Sequence, residues 1–147
     1  MGVVYHANYV NWFEIGRTEL IRQRGMTYRE IEAKGLLLPV AELESKFYAP
    51  ARYDDLVVIY TRIAAYTGAT IRFESEIRRR PGANDASPDR SGDNRGGAED
   101  IALLPNSEPA GELLVRGATR HIWLNKEWKP VRIDKEAPEL FRLLGEE

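Results

Sequence analysis

Two consecutive segments, Leu56–Tyr66 and Ala69–Arg78, most limit what this chain can fold into. Both are rich in β-branched and aromatic residues, and the second alternates Ile71, Phe73, Ser75 and Ile77 with Arg72, Glu74, Glu76 and Arg78. A strand turns successive side chains to opposite faces, so this segment has one mainly apolar face and one charged face. Thr67-Gly68 between the two is a turn signal, and the spacing predicts an antiparallel hairpin. Such a hairpin cannot bury its apolar face alone; it needs further strands and a covering layer.

The covering layer is legible near the amino terminus. From Tyr9 to Gly25, apolar Tyr9, Val10, Trp12, Phe13, Leu20 and Ile21 recur at helical spacing, Arg17, Glu19, Arg22, Gln23 and Arg24 fill most of the other face, and Gly25 is a stop. Thr27-Tyr28-Arg29-Glu30 is a capping box that opens a short second helix ending at Gly35. Val40–Tyr48 alternates as a strand until Pro50, Glu112–Leu124 is another strand, Asn125-Lys126-Glu127 a turn, Trp128–Ile133 a short return and Ala137–Leu144 a closing helix. One long helix and three long strands with short connections describe an α+β fold in which the helix lies on a curled antiparallel sheet.

The segment 79–110, which contains PGANDASPDRSGDNRGGAED, is crowded with Pro, Gly, Asn, Asp and Ser. It has too few large apolar residues to offset its ordering entropy, and is expected to be a disordered loop insertion in a single domain spanning 1–147, with Ile101, Ala102, Leu103 and Leu104 docking locally.

Composition then narrows the function classes. A net charge of -2 supplies no global basic field for nucleic acid or an anionic membrane. Zero cysteines exclude disulfides, thiolate metal sites and cysteine nucleophiles, and fit a reducing compartment, with the cytoplasm as the default. There is no run of about 18 apolar residues and no leader pattern, so neither a membrane span nor a signal peptide is expected.

Chemistry has few candidates. The two histidines, His6 and His121, form no HExxH pattern, and no clustered Asp, Glu and His spacing suggests a metal site. His6 stands just before the long helix, where unpaired amides and the positive end of the helix dipole can hold an anion or polarise a carbonyl; the plain alternative is a capping or packing residue. His121 reads as a half-buried strand residue. Glu14, beside Phe13, is either an acid or base pointing into a cleft or an ordinary solvated helix acid. Trp12 and Phe13 fall at core spacing. Asp54-Asp55 is most simply a turn, and no serine sits in a GxSxG elbow.

Gly2-Val3-Val4-Tyr5-His6-Ala7-Asn8-Tyr9, followed by Trp12-Phe13-Glu14 and Arg17-Thr18-Glu19, resembles the signature of hotdog-fold acyl-CoA thioesterases of the 4-hydroxybenzoyl-CoA thioesterase family. Tyr48-Ala49-Pro50-Ala51-Arg52-Tyr53-Asp54-Asp55-Leu56 and Lys129-Pro130-Val131-Arg132-Ile133 resemble later segments of the same family, so the likeness covers nearly all of the chain outside 79–110. The resemblance implies a hotdog fold, sheet-edge dimers that commonly pair into tetramers, and active sites at the dimer interface. It also implies hydrolysis of an acyl-CoA thioester without metal or bound cofactor, by a carboxylate that attacks the carbonyl or activates water. The backbone amide of His6 is the implied oxyanion donor and its imidazole, with Tyr5, a further catalytic candidate. Asn8, Trp12, Phe13 and Glu14 are the implied substrate-binding residues, and the turn at Thr70 is a candidate edge of the coenzyme A site, or else a plain hairpin turn.

One departure matters. The family pattern Asp-x-Asp-x-x-Gly-Val-Val-Tyr-His puts its catalytic aspartate at a position upstream of Met1, together with the first strand. The chain as written is therefore expected to lack both and to be impaired in hydrolysis, with Met1 either an internal methionine or the start of a truncated copy. Two other readings stand beside the thioesterase: a non-catalytic hotdog protein that binds acyl-CoA or a protein partner, and a hotdog dehydratase using His6 with Glu14.

Overall fold

The computed structural model of the chain describes residues 7–52, 56–79, 97–102 and 111–145. Helix α1 spans Ala7–Gln23 and ends at Gly25, whose φ of 105° is the left-handed conformation glycine favours at a helix stop. Helix α2, Tyr28–Ala33, is capped by Thr27, whose hydroxyl accepts from the Glu30 amide at 3.1 Å. Strands β1 (Leu36–Leu37) and β2 (Val40–Phe47) follow, then β3 (Leu56–Tyr66) and β4 (Thr70–Arg79), the expected hairpin. Strands β5 (Gly97–Ala102), β6 (Glu112–Ile122) and β7 (Leu124–Asn125) lead into helices α3 (Ile133–Glu136) and α4 (Pro138–Leu144). The short α3 was not expected from the sequence.

The main sheet has the order β2-β6-β4-β3-β5, and β1 pairs with β7 in a small second ribbon. All pairings are antiparallel except that of β5 with β3. Alternation is borne out in β4: Ile71, Phe73, Ser75 and Ile77 are buried under α1, while Arg72, Glu74, Glu76 and Arg78 line the outer face. There, ion pairs run between neighbouring strands, Arg62 to Glu74 at 2.6 Å and Arg116 to Glu76 at 2.9 Å. This is the hotdog arrangement, a long helix laid against one face of a curled sheet. Among the described residues, no helix is long and apolar enough to cross a membrane.

Close approach of helix and sheet depends on two glycines. A Cβ at Gly16 would lie 2.2 Å from the Thr61 hydroxyl, and one at Gly117 would lie 2.4 Å from the Phe13 ring. Two core clusters result. Tyr9, Trp12 and Phe13 pack with Ala51, Val57, Ile59, Ile77 and Val115, whereas Leu20 and Ile21 pack with Ile71, Phe73, Trp123, Ile133 and Leu140. The helix therefore starts over the beginning of β3 and ends over the opposite end of the sheet.

Three expectations need correcting. Within the segment expected to be disordered, Gly97–Ala102 forms β5, a parallel strand along the free edge of β3 beside α1; Ile101 and Ala102 dock there as expected, opposite Ile59 and Tyr60, while the expected docking of Leu103 and Leu104 lies outside the described residues. Arg17, assigned to the charged face of α1, is buried at 7% exposure, because four residues separate it from Phe13 and bring it over the sheet. His121, expected to be half-buried, is 1% exposed, since β6 lies inside the sheet with its 121 position under α1.

Candidate active site at the entrance of the long helix

The first turn of α1 leaves backbone amides without intrahelical acceptors, at the positive end of the helix dipole. Tyr9 fastens this end to the sheet. Its buried ring meets Trp12 edge-on at 5.2 Å and Phe47 at 5.4 Å, and its hydroxyl accepts from the buried Ala51 amide at 3.0 Å. Nearby, the Tyr48 and Ala49 amides donate to the Leu114 carbonyl at 2.8 and 3.3 Å. Tyr9 thus joins the start of α1 to Ala51, 42 residues away in sequence. The sequence assigns Tyr9 to the apolar face of the helix and to the motif but not to this tie; its only signal is its position at the junction of the two.

The candidate residues divide into those the structure describes and those it does not. Tyr5 and His6 lie outside the described residues, as do Tyr53, Asp54 and Asp55. The backbone of Asn8 is in the first turn of α1. Trp12 and Phe13 are buried in the cluster beneath that turn, and Glu14 is exposed on the helix. Thr70 is elsewhere: it begins β4, at the end of the sheet opposite the start of α1 and about 30 Å along the strand from Arg79. There the Thr67 hydroxyl meets that of Thr70 at 3.0 Å and accepts from the Thr70 amide at 3.0 Å. The chain therefore brings Trp12, Phe13 and the backbone of Asn8 to the helix entrance but not Thr70.

A second polar group lies under the middle of α1. The Arg17 guanidinium donates to the Thr119 hydroxyl at 3.3 Å, and the His121 ring contacts Thr119 at 2.9 Å through Nε2 and the Leu38 carbonyl at 3.1 Å through Nδ1. Burial lowers the His121 pKa to about 4; the hydrogen bond to Leu38 opposes this shift and the Arg17 charge adds to it. Burial likewise raises the Tyr28 hydroxyl above its ordinary value, against the pull of the neighbouring Arg17. His121 is thus a neutral structural imidazole. Among the described residues, no three His, Asp or Glu side chains converge as metal ligands.

Comparison with known proteins agrees with this geometry. Residues 1–86 match the family described as the Thioesterase superfamily. A protein of Bacillus subtilis (strain 168), named "Putative acyl-CoA thioesterase YneP", is 31% identical over 140 residues, 95% of this chain and 80% of that protein. The "Acyl-CoA thioester hydrolase YbgC" of Escherichia coli O6:H1 is 37% identical over 76 residues, 52% of this chain but only 57% of its own length. The solved structure of a DHNA-CoA thioesterase from Staphylococcus aureus superposes with a TM-score of 0.73 at 25% identity, covering 97% of this chain and 77% of that one. The long helix laid on a curled sheet is that of a hotdog domain, and the chain belongs to the thioesterase superfamily.

Proposed function

We infer that this protein is an acyl-CoA thioesterase, which hydrolyses an acyl-CoA thioester to the free acid and coenzyme A. The observation that carries the reading is the Tyr9–Ala51 hydrogen bond, which joins two family-like segments at a helix entrance suited to stabilising an oxyanion. The names of YneP and YbgC support the same substrate class.

In the reaction, the carboxylate that the family pattern places ahead of Gly2 deprotonates water, whose oxygen bonds to the thioester carbonyl carbon. Where it attacks that carbon itself, the mixed anhydride left after C–S cleavage is hydrolysed by water to release the free acid. The carbonyl oxygen becomes an oxyanion facing the His6 amide, the C–S bond then breaks, and the thiolate leaves and takes up a proton. His6 and Tyr5 are the catalytic residues of this chain. Asn8, Trp12, Phe13 and Glu14 bound the acyl side, and the Thr70 turn borders the coenzyme A side.

The distance between Thr70 and the helix entrance favours a site shared by two protomers. Strand β2 is the outer strand of the sheet beside β6, and it leaves Val40, Leu43 and Phe47 exposed. An apolar edge of this length is a template for pairing with another strand. A second copy joined there in antiparallel fashion gives a homodimer, and a homotetramer arises from two such pairs. Net charge and cysteine content support a cytoplasmic protein that does not bind nucleic acid.

The test is thiol release from a panel of aliphatic and aromatic acyl-CoA thioesters. A thioesterase releases stoichiometric coenzyme A and free acid from at least one of them. Tight acyl-CoA binding with no release from any member would support the non-catalytic reading instead.

A further inference from the structure

Trp128 is the only non-glycine residue with a positive φ among the described residues, at 63°. A bulky side chain in the left-handed region is strained, and its surroundings must hold it there. Asn125 does this. Its side-chain oxygen accepts from the Glu127 and Lys129 amides at 2.9 and 3.1 Å, its carbonyl accepts from the Trp128 amide at 3.0 Å, and its own amide donates to the Lys129 carbonyl at 2.9 Å. Glycine is the residue this conformation favours. Trp128 nevertheless occupies it with its side chain in solvent, 67% exposed, whereas Trp12 and Trp123 are buried.

Lys126 and Lys129 stand on the same exposed turn as the indole, with Glu127 between Lys126 and Trp128. Pairing of β1 with β7 sets Leu36 opposite Asn125, and an open cleft of about 510 Å³ beside the turn has Lys34, Gly35 and Asn125 in its wall. Glu136 and Glu139 line the same cleft and disfavour phosphate there, so the anion-binding side is the lysine side of the turn.

An exposed, rigidly presented aromatic face bordered by ammonium groups is the chemistry that takes a nucleotide: the base stacks on the ring and the phosphates meet the lysines. The substrate class inferred above carries one. We propose that the Trp128 turn docks the adenosine bisphosphate end of coenzyme A, with the adenine on the indole and Lys126 and Lys129 on the phosphates. This rests on the acyl-CoA reading. Trp128 follows β7, at the end of the sheet away from the start of its own α1. Antiparallel pairing of two β2 edges reverses the second sheet and brings that end of one protomer toward the helix entrance of the other. Nucleotide and thioester are then held by different protomers of one dimer.

The test titrates the intact protein with adenosine 3′,5′-bisphosphate and follows quenching of tryptophan emission, which selects Trp128 because burial shields the other two indoles from contact with the ligand. Saturable quenching is expected, with loss of quenching and of binding in Trp128→Gly, a substitution that suits the backbone. Binding weakens about tenfold when Lys126 and Lys129 are both changed to Ala. In steady-state assays, Trp128→Gly raises KM for an acyl-CoA about tenfold more than KM for the same acyl group on N-acetylcysteamine, which has no nucleotide. Absence of quenching in the wild type, or an equal KM change for both thioesters, overturns the proposal. Failure of the wild type to hydrolyse either thioester strikes the thioesterase reading instead, and the titration still decides the nucleotide site.

Discussion

Gly117 of β6 lies directly beneath Phe13 of α1, so close that a Cβ at 117 would sit 2.4 Å from the ring. The Glu44 carbonyl, 3.1 Å from the same point, blocks escape toward β2. Gly117→Ala should therefore push the helix off the sheet and cost about 1–3 kcal/mol by overpacking. Urea denaturation of the two proteins measures this; an unchanged midpoint would show that the helix yields without loss.

Tyr9 supplies the acceptor for the buried Ala51 amide. Tyr9→Phe keeps the ring contacts with Trp12 and Phe47 but leaves that amide unsatisfied, at a cost of about 1–3 kcal/mol. The same loss should loosen the helix entrance and reduce kcat/KM. Stability and thioester hydrolysis measured on one preparation check both effects.

The helix and the hairpin are legible in the sequence because their signals are local: a period of 3.6 from Tyr9 onward, and strict alternation from Ile71 to Arg78 directly after the Thr67-Gly68 turn. Arg17 is misread for a related reason, since charge alone assigns it to solvent, and its acceptor Thr119 is a hundred residues away in sequence. Of strand β5 only the local docking of Ile101 and Ala102 is legible, because GAEDIA has weak strand propensity and is ordered by pairing with β3, a contact distant in sequence. At the site, motif order alone points to the helix entrance. The role of Tyr9 as the tie to Ala51 and the left-handed backbone of Trp128 require coordinates.

His121 makes stability depend on pH. Its folded pKa of about 4 lies below the ordinary 6.5, so between these values the unfolded chain binds a proton that the folded one does not. Stability is then lost as pH falls from 6.5 toward 4, by up to ~3 kcal/mol. His121→Gln, which lacks the titrating ring, should flatten that slope even if it lowers stability at pH 7. Denaturant midpoints at pH 7 and pH 5 for both proteins give the comparison, and an equal slope in the variant would assign the acid sensitivity elsewhere.

The exposed edge of β2 predicts the assembly. Leu43→Lys and Phe47→Lys place charges along the row that a second copy would cover, while both side chains are already solvent-accessible in the protomer. The double variant should stay folded by circular dichroism and dissociate at concentrations where the wild type is dimeric or tetrameric in sedimentation. Identical sedimentation of a folded variant would remove β2 from the interface.

The central claim is that acyl-CoA thioesters are hydrolysed at the entrance of α1, with the amide of residue 6 facing the oxyanion. His6→Pro removes that N–H, whereas His6→Ala removes only the imidazole. The decisive measurement is kcat/KM for acyl-CoA hydrolysis in these two variants side by side. The account predicts that the proline variant falls about 10²–10³-fold below the alanine variant; equal rates in the two would contradict it.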